Sequence, residues 1–208
     1  MDIKNDIHIM EMNDKLYQRL KQSELVIHAK VESVLRQISS WKYATHEFYV
    51  PAPYQNELAG LPNGRIRKNI EEKDRLKIAG LYSFGFNAEG KILCSQEAPD
   101  NIGNGIITDI YEYDNAFSYY VYHVKYIPNQ YTTIISISYF YPYHEMNIFQ
   151  GINSYKDWSV YLYEYDKERI SKVHRYASRW DNMPAEEYNF AYENNLLCAI
   201  VGEKRLCL

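Results

Sequence analysis

The chain has 208 residues, enough for one domain with a full core, and holds no apolar run near the ~20 residues that a membrane-spanning helix needs. Its net charge is −4, unevenly spread: residues 1–80 carry 13 Lys/Arg against 11 Asp/Glu, whereas residues 81–208 carry 10 against 16. An acidic second part argues against nucleic acid and for a basic partner. The polar opening from Met1 to Asp6 is unlike a signal peptide, and Cys94, Cys198 and Cys207 form no CxxC pair. These features predict free thiols, no bound metal, no membrane association and a cytoplasmic location.

In chain order, Leu16, Leu20, Val26, Ala29, Val34, Leu35 and Ile38 recur at helical spacing and predict a helix over 13–40, with Ser23 as a cap or bend. Residues 41–64 hold Pro51, Pro53, Gly60, Pro62 and Gly64 and read as loop. Arg65 to Lys77 is charged, with Ile66, Ile70 and Leu76 as its few apolar positions, and reads as a short surface helix.

From Ile78 onward the period changes to two. A tyrosine-rich pattern starts at 82, 109, 135, 161 and 188, spaced 27, 26, 26 and 27 residues apart: Tyr82-Ser-Phe84-Gly-Phe86-Asn87, Asp109-Ile-Tyr111-Glu-Tyr113-Asp114, the weaker Ile135-Ser-Ile137-Ser-Tyr139, Tyr161-Leu-Tyr163-Glu-Tyr165-Asp166, and Tyr188-Asn-Phe190-Ala-Tyr192-Glu193. Alternating aromatics running into Asn, Asp or Glu describe a strand entering a turn, and a fixed period describes one supersecondary unit used repeatedly. Asn87 to Gly90, Asp166 to Arg169 and Glu193 to Asn195 supply turns. The expected fold is α+β in a single domain over 1–208: a helical and loop segment over 1–77, then a curved antiparallel meander of about ten strands, five hairpins, over 78–208.

The stretch Tyr161-Leu-Tyr-Glu-Tyr-Asp166 with Ile170, and Tyr188-Asn-Phe-Ala-Tyr-Glu193 with Leu196, resembles the YD repeats of Rhs-type polymorphic toxin systems. The likeness is good over 161–201 and loose over 82–201. The glycine that follows the acidic residue in that motif has a counterpart only at Gly90; Arg169 and Asn195 stand near the equivalent later places. The chain is too short to build the large shell such repeats form. In size and acidity it resembles a small cytosolic immunity protein encoded beside such a toxin, which implies a basic toxin domain as partner.

Catalytic signatures are missing. His144-Glu145 opens an HExxH motif, but Ile148 stands where the second histidine belongs. His123 and His174 sit singly in strands, there is no GxSxG or P-loop, and Gly103-Asn-Gly105 reads as a turn. Lys167, Arg169, Lys172, Arg175 and Arg179, with Tyr176 and Trp180, form a basic-aromatic stretch whose charges strand alternation divides between faces. Glu112, Asp114, Glu164 and Asp166 recur at matching places of the repeat, which predicts turn and surface roles rather than a unique catalytic pair. The expectation is therefore a non-enzymatic protein binder without cofactor, metal or catalytic residue. It would dock through Glu112, Asp114, Glu164, Asp166, Tyr111, Tyr113 and Tyr163. Two alternatives are a small-ligand-binding curved barrel and a hydrolase using paired carboxylates. An apolar, Tyr-lined cavity would favour the first, and two carboxylates converging in a cleft the second.

Overall fold

A computed structural model describes residues 3, 6–62, 64–99, 105–178, 185–194 and 196–205. Cys207, Arg179, Trp180, Asn195, Gly103 and Asn104 lie outside the described residues. Two helices open the chain, α1 (Ile7–Ser23) and α2 (Ile27–Arg36). The Asp6 carboxylate accepts from the backbone N–H groups of His8 and Ile9 at 3.0 and 3.2 Å, the standard satisfaction of a helix start, which places the N-terminus earlier than the apolar spacing alone indicates. Val26 enters the second helix without a side-chain cap. The break expected at Ser23 is therefore real.

The five tyrosine repeats become five hairpins. They are β3 (Tyr82–Phe86) with β4 (Ile92–Glu97), β5 (Ile106–Tyr113) with β6 (Tyr119–Ile127), β7 (Tyr131–Tyr143) with β8 (Met146–Asn153), β9 (Trp158–Asp166) with β10 (Arg169–Ala177), and β11 (Ala185–Glu193) with β12 (Leu196–Arg205). Two more strands come from the N-terminal part: β1 (Ser40–Ala44) pairs with β3, and β2 (Ile66–Arg67) pairs with β1. The sheet thus has twelve strands rather than ten, all antiparallel, in the order β12 to β3, then β1 and β2. The expected loop over 41–64 is corrected at residues 41–44 and at the short helix Gln55–Leu58, and the expected helix over Arg65 to Lys77 is corrected too. Residues 41–44 are strand, not loop, because β3 offers a free edge that Trp41 to Ala44 can pair with. The segment from Arg65 to Lys77 holds β2 and a single 3-10 turn at Glu72–Asp74 instead of a helix.

The turns follow local chemistry. Gly90 has φ +76, and the Asn87 side chain accepts from Lys91 N at 2.8 Å. Lys167 (φ 59) and Asn194 (φ 48) take the left-handed position in the later hairpins. Asn115 and Asn153 bond to backbone N–H groups two residues on, at 2.8 and 2.9 Å. The side chains that hold these bends are asparagines. Glu112 and Glu164 lie within strands.

The sheet buries both faces. On one, Ile106, Ile110, Tyr122, Val124, Ile137 and Leu162 pack under Ile9, Leu16 and Leu20 of α1 and Ile27 and Val31 of α2. On the other, Tyr111, Val121, Phe149, Tyr163 and Val173 pack with Ala52 and Leu58 of the 45–62 segment. The helix face is also tied by polar contacts. Gln150, fully buried, donates to Ile9 O and Asn13 Oδ1 at 2.8 Å each and accepts from Tyr141 OH at 2.9 Å. Leu20→Ala, at a position with 0 % exposure, should cost about 2–5 kcal/mol in urea unfolding, because a rigid sheet beneath it cannot collapse into the gap.

Cys94 is buried, and burial pushes its thiol up to about 12, whereas Cys198 is exposed. Alkylation of the native protein at pH 8, mapped by peptide mass spectrometry, should label Cys198 and spare Cys94 until denaturant is added. Labelling of Cys94 at the same rate would contradict this packing.

Candidate functional site

Strand alternation decides which side chains meet on the loop face. Asp109 lies opposite Ser95 on β4 and His123 on β6, and His123 lies opposite Ser136 on β7. One row of the sheet therefore reads Ser95, Asp109, His123, Ser136. The 45–62 segment runs over this face and leaves a cavity of about 430 Å³ between itself and the strands. Glu47 and Gln55 of the segment line it from above; Glu97, Asp109, His123 and Tyr161 line it from below.

The segment is held by tyrosine hydroxyls. Tyr119 OH donates to Pro51 O at 2.6 Å and Tyr111 OH to Tyr49 O at 3.4 Å. Glu47 is fixed through its own carbonyl, which accepts from Asn56 Nδ2 at 3.0 Å and from Gly64 N at 3.1 Å. Gly64 is required there, since a Cβ would stand 2.3 Å from His46 O.

Asp109 is buried, accepts from Ser95 Oγ at 3.3 Å and lies 2.7 Å from His123 Nδ1. Burial acts to lower the His123 pKa, but Asp109, with Glu47 and Glu97 nearby, outweighs it and raises it. The Tyr82 hydroxyl is pushed up first by burial and then by the neighbouring Glu97 carboxylate. Glu47 differs: no hydrogen bond or ion pair from the described residues reaches its carboxyl. Burial, then the charge of Asp109, pushes it up to about 7. Gln55 Oε1 is also shut from solvent without a hydrogen-bond donor. Among the described residues no group of three His, Cys, Asp or Glu side chains forms a metal-ligand set.

The residues singled out from the sequence are dispersed. Tyr111 (5 % exposed) and Tyr163 (0 %) are core residues of the loop face, so the folded chain does not offer them for docking. Tyr113 is half-buried, with Lys91 Nζ 3.5 Å above its ring. Glu112 is on the helix face, where Arg19 and Lys30 ion-pair with it and Tyr122 OH donates to it at 2.8 Å. Burial acts to raise its pKa, but these partners hold it down at about 2. Glu164 pairs with His174 Nε2 at 2.8 Å. Asp114 is exposed beside Tyr139 OH at 2.9 Å, and Asp166 is exposed at the β9–β10 turn. The reading missed Glu47, Asp109 and His123 as a group. Period-two alternation with the strand register would have joined Asp109 to His123; nothing local marks Glu47. No helix of the described residues is long and apolar enough to cross a membrane. Comparisons with protein-family models, with curated proteins and with solved structures return no match.

Stability should fall on both sides of a pH maximum. Glu47 has a folded pKa above its unfolded one, so the native state binds the extra proton and stability is lost as pH rises from about 4.5 through about 7. His123, also raised, loses its contribution as pH rises through its folded pKa. Glu112 is depressed, so its contribution is present above about 4.5 and is lost as pH falls toward 2. Glu47→Gln should therefore gain stability over wild type at pH 8 and little at pH 4.5, measured by urea unfolding at both. Glu112→Lys should lose about 1–2 kcal/mol at pH 7; its carboxylate side chain is 37 % exposed, which keeps the loss below buried-pair values.

Proposed function

We propose that this chain is a non-enzymatic protein-binding protein that takes a basic side chain of its partner into the loop-face cleft. On this reading it is an immunity protein that occludes the active site of a basic toxin domain. The single observation that carries it is Glu47. Several carboxylates of the sheet have found partners: Glu112 has Arg19 and Lys30, Glu164 has His174, Glu187 has Lys172, and Asp109 has His123. Among the described residues Glu47 has no ion pair; the His123 imidazole that acts on it is bonded to Asp109, and burial with the neighbouring carboxylates keeps its pKa raised, as for a buried carboxylate short of a cation. A partner cation would supply that charge and would be desolvated in doing so, the setting in which a single side chain dominates an interface.

A hydrolase using paired carboxylates is the second reading. Glu47 and Asp109 share one cleft, and a carboxyl whose pKa is raised to about 7 beside a second carboxyl suits a general acid. Binding is preferred because Asp109 is already bonded to His123 and Ser95, which takes one of the two paired carboxylates that such a hydrolase needs. The barrel alternative loses support, since the sheet order runs from edge to edge without closing and the cavity is acidic.

The test is a survival assay with the product of the adjoining gene. That product should be toxic alone, harmless with the wild-type chain, and toxic again with Glu47→Lys, a variant checked for folding by circular dichroism. A non-toxic product, or full protection by Glu47→Lys, would contradict the proposal. Turnover of aryl glycosides by wild type and its loss in Glu47→Gln would move the assignment to the hydrolase.

A further inference from the structure

The cleft is short of donors. Its unengaged polar atoms include the Glu47 carboxyl and Gln55 Oε1, the latter closed to solvent. Glu97 and Asp109 stand beside them on adjacent strands, each with lone pairs beyond the hydroxyl and imidazole contacts already described. The basic side chain of the lining, His123, is turned onto Asp109. Aromatic side chains Tyr82, Phe149 and Tyr161 complete the lining.

Parts of this combination hold guanidinium groups elsewhere in the chain. Arg19 donates to Tyr122 OH at 2.7 Å and to Glu112 Oε1 at 2.8 Å, with its Cζ 3.9 Å from the Tyr120 ring centre. Arg75 donates to the amide oxygen of Gln96 with its Cζ 4.0 Å from the Trp41 ring centre. A carboxylate with an aromatic ring, or a glutamine oxygen with one, thus holds arginine on this sheet. Lys30 also reaches Glu112, with its Nζ 4.1 Å from the Tyr122 ring centre, so a carboxylate and a ring take an ammonium here too. In the cleft the acceptors are spread over the loop and two strands, and a planar fork with five N–H groups spans such a spread where an ammonium does not.

We propose, resting on the cation-accepting reading of the cleft, that the group it takes is a guanidinium, presented as an arginine side chain by the protein partner. Glu47 and Gln55 Oε1 would accept its N–H groups from the loop side, and an aromatic ring of the lining would cover its plane.

The experiment compares N-acetyl-arginine amide with N-acetyl-lysine amide, which carry the same charge, by chemical-shift titration of the full chain at pH 8. Arginine amide should bind at least about tenfold more tightly than lysine amide. Glu47→Gln should abolish the binding, and Gln55→Leu should weaken arginine binding while leaving that of lysine unchanged. Both variants are first checked for native dispersion of the spectrum. Equal affinity for the two amides would overturn the guanidinium inference and leave the cation site standing. Absence of shifts with either amide would overturn both. Arginine shifts confined to residues away from Glu47 and Gln55 would overturn the placement.

Discussion

A twelve-stranded antiparallel sheet presents two faces, and everything else in this fold answers the need to cover them. Alternation sends successive side chains to opposite sides, so the aromatics that fill consecutive positions of a strand, such as Tyr119, Tyr120 and Tyr122, are committed to both. Two helices with Leu16, Leu20 and Val31 cover one face. Among the described residues the other has only the 45–62 segment, which brings Ala52 and Leu58 as its buried apolar side chains. A short segment cannot seal a wide sheet, and where it lifts away the polar row from Ser95 to Ser136 remains beneath an open cavity. The cleft is a consequence of incomplete coverage.

Tyrosine makes this arrangement tolerable because each buried ring brings a hydroxyl that needs a partner. On the helix face Tyr122, Tyr126 and Tyr141 find Glu112, Glu32 and Gln150. On the loop face Tyr111 and Tyr119 find backbone carbonyls of the covering segment, so the same side chains that build the core also pin the roof of the cleft. Electrostatics follows the coverage. Where helices arrive, they bring Arg19 and Lys30 to a sheet carboxylate; where only the loop arrives, it brings another carboxylate. Among the described residues, the asymmetry of the two faces is what leaves Glu47 without an ion pair.

The hairpins were legible because their signal is local: alternation within a strand, and turn residues such as Asn87 and Gly90 at its end. The break at Ser23 was legible for the same reason. β1 was not, since Ser40 to Ala44 has no distinctive pattern and becomes a strand only by pairing with β3, some forty residues on. The burial of Tyr111 and Tyr163 was equally hidden, because it depends on a segment remote in sequence crossing their face. The repeat made Glu112 and Glu164 look alike, yet one is clamped by two helices and the other by a histidine on the next strand. A period identifies equivalent strands; it says nothing of what packs on each. Glu47 had no signal at all beyond being an acidic residue near Pro51.

The central claim is that Glu47 is a half-buried carboxylate lacking a cation, and that an incoming cation supplies it. Its side-chain carboxyl can be followed directly by carbon NMR through a pH titration of the free protein, repeated with saturating N-acetyl-arginine amide. The account predicts a midpoint near 7 in the free chain, well above the ordinary carboxylate range, and a large downward shift when the arginine amide is bound. A midpoint near 4.5 in the free chain, or one that the amide leaves in place, would contradict it.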